Sequence, residues 1–164
     1  MRGVYTLIIR SSRPSRIKVG RHLTILLKRD LYLYSGSALG RGSTSLEGRI
    51  SRHLTREKTR FWHIDRILSS DSTRVVSVIF AKTTSKMECK LNAALLKDSG
   101  IRVPMRGVGS TDCGCESHFL MTRYTLSVLR KKVISCYIKL GLRPHTLRDP
   151  RIAGSAFQLI SRAH

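Results

Sequence analysis

Residues 3–10 read Gly-Val-Tyr-Thr-Leu-Ile-Ile-Arg, and residues 31–36 read Leu-Tyr-Leu-Tyr-Ser-Gly. The first run places branched side chains at Val4, Thr6, Ile8 and Ile9, whose restricted χ1 suits an extended backbone. The second alternates Leu31, Tyr32, Leu33 and Tyr34, which describes a strand with two different faces. Between them, Ser11 to Ser15 with Pro14 reads as a turn. Ile17 to Val19 reads as a hairpin arm, and Lys28 to Asp30 as a polar break. Gly36, Gly40 and Gly42 are expected to open a loop after the second strand.

Helical spacing takes over downstream. Leu46, Ile50 and Leu54 form a stripe at i, i+4, i+8, with Arg49, Arg52, His53 and Arg56 off it. Thr44 and Glu47 stand at capping-box spacing before it. A short helix is expected over 61–68, with Phe61, Ile64 and Leu68 facing inward. Arg74 to Ala81 is rich in Val, Ile and Phe and reads as a strand. A helix follows from about Ser85 to Lys97. Residues 103–118, rich in Gly, Ser and Cys, read as an ordered loop. A strand within 118–125 and a basic helix over 126–140 come next. Asp149 and Pro150 fit the cap and first position of a last short helix. The sum is an α+β fold, a small mainly antiparallel sheet flanked by helices. Its expected division is residues 1–121 for the domain and 122–164 for a basic helical extension.

The net charge is +21, from 31 Lys plus Arg against 10 Asp plus Glu. So much like charge repels itself and calls for a polyanionic partner. An anionic membrane fits less well, because the basic residues are spread over several segments and form no single amphipathic anchor. No apolar run is long enough to span a bilayer. No signal-peptide pattern is seen at the start, so the cytoplasm is the expected location.

Ten carboxylates are few enough to sort. Asp30, Glu57, Asp71 and Asp98 sit at turn positions and read as solvated. Glu47 and Asp149 have cap roles. Asp65, Glu88, Asp112 and Glu116 remain for metal binding or proton handling. Four cysteines, in a cytoplasmic chain, are expected to be reduced, buried or metal-bound. Cys113, Cys115 and His118, with Cys89 from another segment, are candidates for a structural Zn2+ site. The Cys-x-Cys spacing is tighter than the usual pair. The alternative is that this loop, with Asp112, is a packed wall.

An ordered set of motifs runs through the chain. Gly3-Val4-Tyr5 opens the first strand, and Tyr34-Ser35-Gly36-Ser37-Ala38-Leu39-Gly40 closes the second. Arg49-Ile50-Ser51-Arg52-His53, Trp62-His63-Ile64-Asp65, Glu88, and Gly109-Ser110-Thr111-Asp112-Cys113-Gly114-Cys115-Glu116-Ser117-His118 follow. This order resembles the GIY-YIG nuclease superfamily, and within it a prokaryotic subgroup of the DUF123 type, sometimes fused to endonuclease III-type glycosylases. The likeness covers roughly residues 3–121. Ser35 departs from the Ile or Val usual at that position. The gap from Tyr5 to Tyr34 is also longer than in compact members, so an extended hairpin is expected there.

The resemblance implies a metal-dependent DNA endonuclease that hydrolyses phosphodiester bonds, with repair as its setting. Glu88 would hold a single Mg2+ or Mn2+. Arg49 would neutralise charge on the phosphorus in the transition state. Tyr5 or Tyr34 would orient and help deprotonate the attacking water, which requires nearby positive charge to make a phenolate accessible. His53 would bind a phosphate or relay a proton. Arg41, Arg52, Arg56, Trp62, His63, Lys131 and Lys132 are the candidate DNA contacts, with RNA as the other nucleic acid to test. Plainer readings stand beside these. Glu88 closes a capping box with Ser85, Trp62 is a core residue, and His63 and Asp65 fix the Trp62 segment. The rival function is a non-catalytic nucleic-acid-binding module stabilised by zinc.

Overall fold

The structure is a computed structural model and describes residues 1–56 and 59–148. Its centre is strand β1 (Gly3–Ser11), which is hydrogen-bonded on both sides. A separate antiparallel hairpin follows, β2 (Ser15–Lys18) and β3 (Thr24–Leu27). It fills the long gap as the extended hairpin expected there, and Ile25 and Leu27 bury against the main body. Strand β4 (Leu31–Ala38), helix α1 (Leu46–Leu54), helix α2 (His63–Leu68) and strand β5 (Thr73–Lys82) come next. Helix α3 (Glu88–Leu96), strands β6 (Ile101–Arg102) and β7 (Phe119–Thr122), helix α4 (Leu126–Lys139) and strand β8 (His145–Leu147) complete the order. The six-stranded sheet has the order β6-β7-β4-β1-β5-β8, and each neighbouring pair is antiparallel. The α+β architecture read from sequence is the one observed.

The two-residue period of the strands splits the core into two layers. Tyr5, Leu7 and Ile9 of β1, with Val78 and Phe80 of β5, pack against Leu46 and Ile50 of α1 and Ile64 and Ile67 of α2. Val4 and Ile8, with Ile79 and Ala81, pack against Leu91 and Leu95 of α3 and Leu129 and Val133 of α4. Among the described residues no helix is long and apolar enough to cross a membrane.

Several local expectations change. Gly36 does not open a loop. It stays in β4, opposite Tyr5, because β4 pairs with β1 as far as Ala38. The cap of α1 is Ser45, whose side chain accepts from the Gly48 amide at 3.1 Å, and not Thr44. Glu47 instead takes the N-terminal ammonium at 2.5 Å. Phe61 is 78% exposed, since α2 begins only at His63 and leaves it outside the helix. His53, expected off the apolar stripe, is buried against the sheet. Helix α3 starts at Glu88 and its N-cap is Met87, so no box with Ser85 forms. Asp98 is not simply solvated: it accepts from Lys132 Nζ and Tyr124 Oη, both at 2.5 Å. The strands β6 and β8 were not foreseen.

The expected boundary at residue 121 falls inside β7. Past it, α4 contributes fully buried Leu129, Val133 and Tyr137 to the same layer as β1, and β8 extends the same sheet. The helix expected at Asp149-Pro150 lies outside the described residues.

Candidate active site and metal cluster

A cleft of about 580 Å³ lies at the end of β1 and β4 where Tyr5 faces Gly36. Tyr5, Tyr34, Arg49 and Glu88 all line it. They come from β1, β4, α1 and the first residue of α3, so the sheet register and two helix positions decide their meeting. Tyr5 lies across the neighbouring strand. A Cβ at Gly36 would stand 2.5 Å from the Tyr5 hydroxyl, so glycine is required there for the phenol to lie as it does. Gly109 plays the same part for Tyr34. Its φ is +73°, which favours glycine, and a Cβ there would stand 2.7 Å from the Tyr34 ring.

Tyr5 Oη and His53 Nε2 form a buried hydrogen bond of 2.8 Å. The Tyr34 ring meets the His53 ring edge-on at 6.0 Å. His53 is 3% exposed, and its Nε2 is taken by the Tyr5 phenol. Burial pushes the Tyr5 phenol up to about 12, and the Arg49 guanidinium offsets only part of this. Burial raises Tyr34 further still, with the neighbouring Tyr5 adding to the rise. Both phenols are therefore protonated near neutrality, and Arg49 by itself does not make a phenolate accessible.

The guanidinium carbons of Arg49 and Arg52 lie 4.9 and 4.8 Å from the centre of the Trp62 ring. Trp62 thus packs on the core and lines the cleft at once. Arg52 is anchored away from the cleft. Its Nη2 donates to Asp65 Oδ2 at 2.8 Å and to Thr59 O at 2.7 Å. Asp65 also accepts from the backbone amides of Phe61 and Trp62. Burial alone would raise its carboxyl, but the Trp62 amide and the Arg52 guanidinium outweigh burial and hold it below the usual range. Asp65 therefore fixes the Trp62 segment, as its plainer reading held. Arg49 Nε is buried without a hydrogen-bond partner among the described residues. The same guanidinium lies against the Tyr5 phenol and lines the cleft.

Glu88 Oε2 accepts from Ser37 Oγ, and Ser37 Oγ also accepts from the Met87 amide at 3.3 Å. Ser37 thereby ties β4 to the first turn of α3. Lys86, Ser37, Thr111, Phe61 and Asp112 also line the cleft; only Asp112 was a candidate site residue from sequence, since Ser37 and Thr111 entered only within quoted motifs and Phe61 as an inward-facing helix residue. Their residue types are common and their spacing carries no signal. His63 lines it too, with its ring 3.5 Å from the Gly109 amide. Among the other candidate DNA contacts, Arg41 is exposed just before a 3-10 turn (Gly42–Thr44) and Arg56 lies beyond the far end of α1. Lys131 and Lys132 sit on α4 across the sheet from α1, and Lys132 is held by Asp98. These four do not join the cleft.

Glu116 is drawn off to an exposed pair with Arg106 at 2.9 Å. Around it the cysteine loop is ordered, as expected. The Gly107 amide donates to Glu116 O and the His118 amide to Val108 O. This folds the loop back on itself and presents Cys113, Cys115 and His118 to Cys89 on α3. The four potential ligand atoms lie within 4.8 Å of one another. His118 Nε2 stands 3.7 Å from Cys89 Sγ and 3.5 Å from Cys113 Sγ. Ligands about 2.0–2.3 Å from a tetrahedral ion stand roughly 3.5–3.8 Å apart, which the two His118 distances match, so the cluster could hold a metal such as zinc. Burial and the adjacent thiols Cys115 and Cys113 push the Cys89 thiol up to about 12. Burial keeps the His118 imidazole below its ordinary value, hence neutral and able to ligate. His118 belongs to both the cluster and the cleft wall.

One family model, described as domain of unknown function DUF123, matches residues 4–141. Neither a curated protein nor a solved structure matches.

Proposed function

We propose that this chain, which belongs to the DUF123 family, is a metal-dependent DNA endonuclease of the GIY-YIG type. The observation that carries this reading is that Tyr5, Tyr34, Arg49 and Glu88 line one cleft in a chain of net charge +21. Glu88, the Ser37 hydroxyl and Asp112 give the cleft oxygen donors suited to a hard cation, with room left for water and a phosphate oxygen. A Mg2+ or Mn2+ ion bound there would supply Lewis-acid stabilisation of phosphoryl and leaving oxygens. Arg49 lines the same space and would neutralise the phosphorane charge. Tyr5 is protonated and hydrogen-bonded to His53. It would orient the attacking water and hand its own proton to His53 as it takes one up. Tyr34 would hold the opposite wall. Phe61, exposed and edge-on to Trp62 at 5.6 Å, would stack a base at the mouth.

In this reading the Cys89, Cys113, Cys115 and His118 cluster holds a structural zinc. It would pin the N-terminus of α3 and with it the carboxylate of the adjacent Glu88. The setting would be cytoplasmic DNA repair, by analogy with the glycosylase fusions of the GIY-YIG relatives.

The test is a cleavage screen over duplex, branched, flapped, abasic and deaminated DNA, with and without Mg2+ or Mn2+. Wild-type protein should cut at least one of these only with metal. Glu88→Ala should bind all of them as before and cut none. A second reading, a zinc-stabilised binding module without catalysis, is favoured by the raised phenols and by the bond that already occupies Glu88. Binding without cleavage on every substrate would establish it in place of the first.

A further inference from the structure

A second cavity of about 510 Å³ opens at the C-terminal end of α1. It lies at the sheet edge, where Arg74, Val75 and Val76 of β5 run on beyond the Val78–Phe80 segment that β8 covers. Leu54, Leu68, Val75 and Leu126 give it an apolar floor. Arg10, Arg56, Arg74, Arg130 and Arg148 surround that floor, and among the described residues no carboxylate lines it. None of these arginines takes part in an ion pair among the described residues. Arg130 donates from Nε to Ser77 Oγ at 3.2 Å, which fixes its guanidinium in place. Burial and the nearby Arg148 both work against its charge. Gathering like charges around a partly closed space without counter-ions costs free energy that a bound anion would relieve.

We propose that this cavity binds a nucleotide of a nucleic-acid strand, with its phosphate on the arginines and its base on the apolar floor. Guanidinium forks match phosphate oxygens in pairs. The floor supplies what a bare inorganic ion has no use for, a surface for the face of a base. Helix α1 links the two sites. Arg49 lines the cleft, and His53, one turn on and about 6 Å along the axis, lines the second cavity. His53 is bonded to Tyr5, which lines the cleft, so a strand held at Arg49 passes within reach of the cavity. The proposal rests on the nucleic-acid reading of the cleft and not on cleavage.

The experiment uses the full chain carrying Glu88→Gln, with no Mg2+ or Mn2+ added, so that no strand is cut. Deoxyadenosine monophosphate, inorganic phosphate, a short labelled single-stranded DNA and a polyglutamate peptide are the probes. The nucleotide should bind and compete with the DNA. Arg56→Glu with Arg74→Glu, both at exposed positions, should weaken nucleotide and DNA alike by about tenfold. The salt slope of DNA binding should flatten by about 1.4 for the two lost contacts on a single strand. The neutral pair Arg56→Gln with Arg74→Gln should lose less in the same direction. Nucleotide binding unchanged in both pairs would overturn the proposal. So would phosphate binding as tightly as the nucleotide, or polyglutamate displacing the DNA more strongly than the nucleotide does. Weaker nucleotide binding with unchanged DNA binding would reject the strand as the source. Intact binding alongside failed cleavage by wild-type protein would sink the nuclease reading alone.

Discussion

Tyr5 and Tyr137 are both fully buried phenols, and they serve opposite faces of the same strand. Tyr5 points from β1 into the α1 and α2 layer and bonds to His53. Tyr137 reaches from α4 to the other face, donating to Ile79 O at 3.1 Å and meeting Thr6 Oγ1 at 3.1 Å. Burial raises the pKa of both. The difference is in their neighbours. Tyr5 has an imidazole, a guanidinium and an open cleft beside it. Tyr137 has a carbonyl, a hydroxyl and aliphatic packing. Burial of a titratable group therefore does not by itself mark a site; a second titratable group and access to a ligand do.

Substitutions at matched positions can break this contrast. The largest effect is expected from Tyr5→Phe, which should slow metal-dependent cleavage by about 10²–10⁴-fold while leaving the thermal midpoint nearly unchanged. Equal rates for Tyr5→Phe and wild type would reduce Tyr5 to a strut like Tyr137. Arg52→Ala comes next. It strips the partner from Asp65, whose side chain is 0% exposed, while Arg52 itself is 29% exposed. A loss of about 3 kcal/mol in denaturant unfolding is expected, near the lower end for breaking a buried pair. DNA affinity at constant folded fraction should hold, because Arg52 is a positioning residue for Trp62.

Tyr137→Phe should cost about 1–3 kcal/mol by leaving buried acceptors without their donor. Its cleavage rate should equal that of wild type. A loss of rate there would mean that the two faces are coupled. The smallest effect belongs to Asp98, paired with Lys132 on the α4 side. That pair and the Tyr124 hydroxyl hold the carboxyl at about 2, below its ordinary 3.8. A depressed carboxylate stabilises the fold above its unfolded pKa, and the gain fades as pH falls toward 2. Asp98→Asn should therefore lower stability slightly at pH 7, by under about 1 kcal/mol for so solvent-facing a pair. Variant and wild-type unfolding curves should converge near pH 2.

Much of this contrast rests on two strands that were legible in sequence, residues 3–10 by their branched side chains and residues 31–36 by their alternation. The stripe at Leu46 and Ile50 was legible too, as was the order of Tyr5, Tyr34, Arg49 and Glu88. The Cys89, Cys113, Cys115 and His118 grouping could be proposed from residue chemistry, though spacing alone did not close it. Gly36, Phe61 and His53 were misread because each depends on what lies across from it. Gly36 stays extended because β1 continues beside it. Phe61 is left outside because α2 starts late. His53 turns inward because Tyr5 offers its phenol. The second cavity left no mark at all, since its five arginines come from five separate stretches of chain and the leucines and valines beneath them from four.

The sequence by itself determined the local periods, the surplus of positive charge and the few carboxylates from which a site could be drawn. Those follow from side-chain chemistry and from backbone repeats of two and 3.6 residues. Only the tertiary structure decided which groups meet. Tyr5 finds His53 across 48 positions, and Cys89 finds His118 across 29. Such contacts depend on strand order, register and helix placement, and no repeat within a single element encodes them.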